Sequence, residues 1–373
     1  MFRFENRTVL IISPQPWDHL LISKHHYALE LAERGNRVFF LEPPLAQISS
    51  PVELREAPQN PLVRIISYRP AFPFAIRFHA RPIYDRMILW QIRSLKAAIS
   101  RPIDVVWSFD FNLFSNLKAF GPELSIFHPV DPLSEQHQVN VARSADAVFS
   151  VSEKILANFR NVDVPRWFIN HGLSRPFEEI ARNPVDTRNG RQPTVGYAGN
   201  LMRKPVNRTV LRAMVETNPG VAFHFWGTSE GTVKVDAEAI HFVDFLRGAQ
   251  NVILHGAVTP EELAIQLQAM DCMVLAYSEN PRESDRSNSH KILEYLSTGK
   301  AVVSSRISTY EKQPELLRMP VSDDDSTLPA LLQDTLARLP EFNSERLQSL
   351  RRTFALDNTY AKQLDRIESR LEK

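Results

Sequence analysis

The sequence predicts an α/β chain built as two doubly wound, Rossmann-like domains with parallel sheets, and three observations predict it. Short β-branched runs of the fully buried kind, such as TVLIIS over residues 8–13 and DVVWSF over 104–109, alternate with segments of helical period. The chain opens strand, loop, helix, strand, and the same alternation starts afresh at Thr194. At 373 residues it is long for one core and comfortable for two domains of about 150 to 200 residues each.

Composition narrows the function classes. Apolar residues make up 43 % and charged residues 23 %, with a formal net charge of +1, so nothing global points to nucleic acid and electrostatic recognition has to be local. The single cysteine, Cys272, lies in the apolar run Cys272-Met273-Val274-Leu275-Ala276, which reads as a core thiol and excludes a disulfide framework. The opening MFRFENRTVLIIS lacks the pattern of a signal peptide, and no stretch approaches eighteen consecutive apolar residues; a cytoplasmic chain is expected. No His-x-x-x-His or Cys-x-x-Cys spacing occurs, so no metal is expected.

The elements follow in order. Strand 8–13 leads through the loop Pro14-Gln15-Pro16-Trp17-Asp18-His19 to a helix over 23–34 closed by Gly35, then to strand 37–41. The loop has no Gly-x-Gly-x-x-Gly, which disfavours a nicotinamide or flavin enzyme. Trp17, Asp18 and His19 at its tip, with His25 and His26 on the next helix, are candidates to face an acceptor, or else they cap and cover the sheet edge.

Residues 64–101 carry Arg64, Arg69, Arg77, Arg81, Arg86, Arg93, Lys96 and Arg101 against one acid, Asp85, interleaved with Tyr68, Phe72, Phe74, Phe78, Tyr84 and Trp90. Cations among aromatics suit docking on an anionic membrane surface; the other reading is a solvated helix over 83–99 with an apolar face on the sheet. Strands follow at 104–109, 124–128 and 147–151. His128, with Asp131 close behind, sits just past a strand's carboxyl end, where open α/β sheets place ligands.

A charged, proline-containing stretch over 176–193 reads as a linker, giving domains at 1–175 and 194–355 and a tail over 356–373. The second domain offers strands at 194–198, 222–226, 251–255 and 272–277, with helices at 207–216 and 261–270, the latter started by Thr259, Pro260 and two acids. Helices over 328–339 and 357–371 close the chain.

The most informative stretch is Asn288-Ser289-His290-Lys291-Ile292-Leu293-Glu294-Tyr295-Leu296-Ser297-Thr298-Gly299-Lys300-Ala301-Val302-Val303. Asn288 or Ser289 starts a helix, Gly299 ends it, and residues 301–303 begin a buried strand. Lys291 and Glu294, three apart, share one face near the positive end of the helix dipole, which suits an anion and, one turn in, a pair of ribose hydroxyls. An ordinary i,i+3 ion pair is the plainer reading of Lys-x-x-Glu alone.

The whole string Lys-x-x-Glu-Tyr-Leu-x-x-Gly-Lys-x-Val-Val resembles the donor-binding segment of nucleotide-sugar glycosyltransferases of the GT-B fold, most closely retaining glycosyltransferase family 4, the glycosyl transferases group 1. The resemblance implies two Rossmann-like domains facing across a cleft, with the last helix returning to the first domain, and it gives Glu294 the donor's ribose. It gives Gly199, Asn200, Arg203 and Lys204 the diphosphate, with Asn200 where the family has arginine and Arg208 as a further cation, and it puts Ser287, Asn288, Ser289 and Lys291 near phosphate and sugar. It implies that His128 reaches the transferred sugar with Asp131 as its neighbour, and that Phe168-Ile169-Asn170-His171-Gly172 closes the first domain. Two further departures accompany it: the first loop lacks the family's Gly-Gly pair, and Arg286 replaces a glutamate, leaving Glu283 or Asp285 for the sugar or Arg286 itself for a phosphate.

The implied activity is transfer of a sugar from a nucleotide diphosphate donor to the hydroxyl of a saccharide or lipid-linked acceptor, with retention, without cofactor or metal, with bacterial envelope or exopolysaccharide synthesis as the expected setting. Cations and helix N–H groups on the departing diphosphate are what that chemistry asks for. A sugar-nucleotide epimerase of the same fold and a nonenzymatic nucleotide-binding relative are the alternatives.

Overall fold

Alternation along β1 (Thr8–Ile12) builds both faces of the first sheet: Leu10 and Ile12 enter one apolar core, while Val9 and Ile11 enter another on the opposite side. All five residues of this strand are buried, as expected of a parallel strand covered on both faces. The structure, a computed structural model, describes residues 2–18, 20–132, 139–185, 192–229, 236–278 and 286–372. The chain divides into two units, Met1–Asn170 with Tyr360–Lys373, and His171–Thr359.

In the first unit β1 is joined by β2 (Arg37–Leu41), β3 (Val52–Ala57), β4 (Asn60–Tyr68), β5 (Val105–Ser108), β6 (Leu124–Phe127), β7 (Ala147–Ser150) and β8 (Arg166–Phe168). Their order is β3-β4-β2-β1-β5-β6-β7-β8, parallel throughout except that β3 pairs antiparallel with β4. The β3–β4 hairpin is absent from the sequence reading. Glu53, Arg55, Glu56 and Arg64 obscure its apolar pattern, because β3 is a sheet edge and edge strands carry charge.

The last helix, Tyr360–Leu371, belongs to this unit and packs on the helix Ser23–Glu33. Tyr360 stacks on His26 with ring centroids 4.8 Å apart, and the buried Glu368 carboxylate accepts from the Phe4 amide at 2.6 Å and from Arg3 at 3.0 Å.

The second unit holds β9 (Thr194–Ala198), β10 (Ala222–Trp226), β11 (Val252–Gly256), β12 (Cys272–Leu275) and β13 (Ala301–Ser304) in the order β11-β10-β9-β12-β13, all parallel. The residues read as a linker begin with a helix, Arg175–Arg182, whose Phe177 and Ile180 enter this unit's core. Pro176 reads as a breaker in sequence but occupies the first turn, where its missing N–H costs nothing. Leu173 pairs with the chain's return: its amide donates to the Asn358 carbonyl at 2.7 Å. Cys272 is fully buried, and burial pushes its thiol up to about 12, so it stays a packing group.

Candidate functional site

Three adjacent strands of the second unit end in glycine. Gly199 after β9, Gly227 after β10 and Gly256 at the end of β11 have φ of 156°, 124° and 74°. The Gly199 amide donates to the Trp226 carbonyl at 2.8 Å, and the Gly227 amide donates to the Gly256 carbonyl at 2.7 Å. A Cβ on Gly227 would run into the carbonyl of Gly199. The missing Cβ atoms let Gly227 pack backbone on backbone against Gly199 at this rim, and the carboxyl ends of strands are where open α/β sheets place ligands.

Beside the rim stands the helix His290–Ser297, started by Ser289 and closed by Gly299 at φ 78°. Ile292, Leu293, Tyr295 and Leu296 bury one face, and the Tyr295 hydroxyl accepts the Ala198 amide at 2.8 Å, tying the helix to the end of β9. The opposite face holds Lys291 and Glu294. The Lys291 ammonium lies against Gly199, 5.7 Å from the ring centroids of both Tyr197 and Tyr277. Ser289 does not cap the helix with its hydroxyl, which meets that of Tyr277 at 2.9 Å; no acid occupies the first turn.

Glu294 keeps 22 % of its side-chain surface, and its carboxylate is 4.0 Å from Nε2 of His290. Burial pushes its carboxyl up to about 7, against the pull of nearby Lys291. The ring of His171 meets His290 edge-on at 6.0 Å, and burial pushes its imidazole down to about 4, opposed by a hydrogen bond with the Asn288 backbone. His171 has no place in the sequence reading beyond the segment it sits in.

Ser287, Asn288 and Ser289 are buried, and the Ser287 carbonyl accepts from the Thr309 hydroxyl at 2.7 Å. Arg286 donates to Asp325 at 2.7 Å and to the Tyr277 carbonyl at 2.6 Å. The ion pair fixes the loop entering the helix. Glu283 and Asp285 lie outside the described residues.

On the loop after β9, Asn200 accepts the Met202 amide at 2.8 Å, forming an Asx turn. Arg203 and Lys204 stand exposed on that turn. Arg208, the third cation of the stretch, is buried and donates to the Arg203 carbonyl at 2.9 Å, bracing the turn from beneath.

In the first unit His128 is fully buried at the end of β6, stacked on Phe109 at 4.9 Å and on Trp107 at 6.0 Å. Asp131 is exposed and, with Asp110, acts on Lys24. Lys24 is buried, bonded to the Gln15 side chain and pushed down to about 8 by burial, against those two carboxylates. Lys24 and Asp110 escaped the sequence reading, although Asp110 lies two residues past the end of β5, beside the strand that His128 follows.

The loop tip is distributed differently. Trp17 is buried, its ring 4.8 Å from Phe40 and its Nε1 donating to Gln59 at 3.1 Å. His25 accepts the Ile22 amide on Nδ1 at 3.1 Å, leaving Nε2 to donate to the Pro16 carbonyl at 3.0 Å. Asp18 reaches out to Arg55 at 2.7 Å, and His19 lies outside the described residues.

Two α/β units of this topology, with the last helix returned to the first unit, define the GT-B fold. The chain is similar to sucrose-phosphate synthase from Thermosynechococcus elongatus, with a TM-score of 0.68 and 15 % identity over 98 % of this chain and 99 % of that one. It is similar to the E. coli trehalose-6-phosphate protein bound with UDP-2-fluoro glucose, TM-score 0.68, 11 % identity, over 98 % and 99 %. A third is an α,α-trehalose-phosphate synthase (UDP-forming) from Burkholderia xenovorans in complex with glucose-6-phosphate, TM-score 0.68, 12 % identity, over 98 % and 100 %. At these identities the likeness is one of fold. No protein-family model matches the chain, and no curated protein does.

Proposed function

We propose that the protein is a glycosyltransferase that moves a sugar from a nucleotide diphosphate sugar to an acceptor hydroxyl, with its donor site at the carboxyl rim of the second unit's sheet. The observation that carries this reading is the Lys291 ammonium against Gly199 with Glu294 one turn further along the same helix face. A diphosphate on the glycine rim would meet Lys291 and the helix N-terminus, and a ribose one turn on would give its paired hydroxyls to Glu294. When the bond from the sugar's anomeric carbon to the diphosphate breaks, the electron pair leaves on the phosphate oxygen, and these groups are preorganised for that charge. The acceptor oxygen bonds to the anomeric carbon and its proton passes to the departing diphosphate oxygen.

Exposed Arg203 and Lys204 are the further cations for the diphosphate, and buried Arg208 holds their turn. The fold neighbours include one bound with UDP-2-fluoro glucose, which favours a uridine donor here. Retention, the contact of His128 with the transferred sugar and a role in envelope or exopolysaccharide synthesis rest on the resemblance to family 4.

A second feature supports docking on an anionic membrane from the cytoplasmic side. Ile83 and Trp90, each 58 % exposed, share the helix Arg81–Ile99 with exposed Arg86 and Arg93, and Phe78 in the turn before it is 66 % exposed, an apolar and cationic stretch of the kind that lies in a lipid interface. No helix among the described residues is long and apolar enough to cross a membrane.

The test is incubation of the protein with UDP-sugars and with candidate acceptors, followed by product analysis. Sugar transfer that is lost in Lys291→Met supports the reading. Release of an altered sugar without acceptor identifies an epimerase, and nucleotide binding without turnover identifies a binding protein.

A further inference from the structure

Among the buried polar atoms of the first unit that have no partner among the described residues, three lie within one cluster. Tyr68 ends β4 and Tyr84 stands in the first turn of the helix Arg81–Ile99; both are 0 % exposed, flank Phe74 with ring centroids 6.4 and 5.6 Å from its own, and have hydroxyls without a partner among the described residues. Arg81 lies with its guanidinium carbon 5.1 Å from the centre of the Tyr84 ring. Its Nε donates to Asp85 at 3.0 Å and its Nη1 to the Asn112 carbonyl at 3.0 Å, so the group is held on two sides, while buried Nη2 has no partner among the described residues. Folded chains keep few such groups, and several together call for a partner.

The surroundings specify its charge. The helix begins at Ala80, whose side chain cannot cap it, and its first turn holds no acid to oppose an anion. Arg77 is within electrostatic reach of both tyrosines and of Asp110. Burial first, and then the Asp110 carboxylate, keep the Tyr68 hydroxyl protonated far above its ordinary range, so it remains a donor. Asp110 is itself buried and accepts the Leu113 amide at 2.7 Å, which fixes a carboxylate beside the donors.

We propose that Tyr68, Arg77, Arg81 and Tyr84 bind the phosphate group of a hydroxyl-bearing acceptor, with the Asp110 carboxylate accepting a hydrogen bond from one of its hydroxyls. The acceptor assignment rests on the glycosyltransferase reading above; the phosphate subsite itself does not. The phosphate comes from a soluble sugar phosphate or from a lipid headgroup, and the two sources present the same oxygens to the cluster.

The experiment measures thermal shift and affinity of the full chain with glucose 6-phosphate, glucose, UDP, and vesicles of phosphatidylcholine with or without phosphatidate. Wild-type protein binds glucose 6-phosphate and not glucose if the source is soluble, or only the phosphatidate vesicles if it is a lipid. In the double variant Tyr68→Phe, Tyr84→Phe that binding falls by about a hundredfold or more, as for two lost hydrogen bonds to a charged group. The melting temperature of the unliganded variant stays level or rises, because each change removes a buried hydroxyl that had no partner. An unchanged response to UDP in the variant places the loss at the phosphate group. No binding of either phosphate probe, or binding indifferent to the double variant, overturns the subsite and leaves the hydroxyls as hosts of internal water. Loss of any UDP response in wild type with glucose 6-phosphate binding intact counts against the donor reading and supports the subsite.

Discussion

The Lys291 ammonium occupies the place where a side chain on Gly199 would stand. Sequence position 199 and sequence position 291 are thus one locus: the strand ends in glycine so that the helix's cation can reach the backbone there. Gly199→Ala is expected to push the flexible end of Lys291 aside, to strain the backbone at φ 156°, and to weaken nucleoside diphosphate binding about tenfold. Gly227→Ala meets the Gly199 carbonyl instead and sits at φ 124°, so it should destabilise the fold by about 1 to 3 kcal/mol. Urea melts and titration with UDP separate the two outcomes.

Glu294 titrates in the physiological range, with its carboxyl pushed up to about 7 by burial. Since the folded chain holds this proton more tightly than the unfolded one, the group imposes no penalty below the ordinary carboxylate range. The penalty grows as pH rises to about 7 and is constant above it. Glu294→Gln should therefore stabilise the unliganded protein at pH 8 by about 2 kcal/mol and leave it unchanged near pH 4. Nucleotide binding by wild type should strengthen as pH rises through about 7, as the carboxylate forms, and the variant should lose that dependence. Stability curves at the two pH values, and titrations across pH 6 to 8, check each half.

Arg286 and Asp325 form an ion pair whose side chains are 13 % and 3 % exposed. Removing the cation leaves Asp325 buried with Ser305 as a remaining donor at 2.7 Å. Arg286→Ala should cost about 3 to 5 kcal/mol in a urea melt. A variant as stable as wild type would free Arg286 for a ligand.

On the helix Arg81–Ile99, replacing Ile83 and Trp90 by serine together with Arg86 and Arg93 by glutamine should abolish sedimentation with anionic vesicles, each cation contributing on the order of 1 kcal/mol near the lipid. These positions are exposed, so the melting temperature should hold. Equal sedimentation by wild type and variant would return this face to solvent.

Much of the fold was legible because parallel strands are buried on both sides: runs such as TVLII and AVVS admit hardly any other reading. The helix His290–Ser297 was legible from its start and from Gly299. The hairpin β3–β4 was not, because an edge strand mixes charge with apolar residues. Within the candidate site, one-dimensional reading could place Lys291 and Glu294 on one face but could not bring Gly227 or His171 to them, since those approaches arise from strand order and from packing. Trp17 and His25 show the converse: polar company in sequence made them candidates for a ligand, whereas their rings pack on Phe40. Of the three cations after β9, only the structure distinguishes buried Arg208, which braces the turn, from exposed Arg203 and Lys204.

The most direct test of the donor site is calorimetric titration of the purified protein with UDP, ADP and GDP, repeated with Lys291→Met and Glu294→Ala. One base is expected to bind best, with Lys291→Met weakening the diphosphate more than the nucleoside and Glu294→Ala weakening diphosphate and nucleoside alike by about 1 to 3 kcal/mol. Binding of a nucleoside diphosphate unaffected by either substitution would contradict this expectation and move the donor site away from the Gly199 rim.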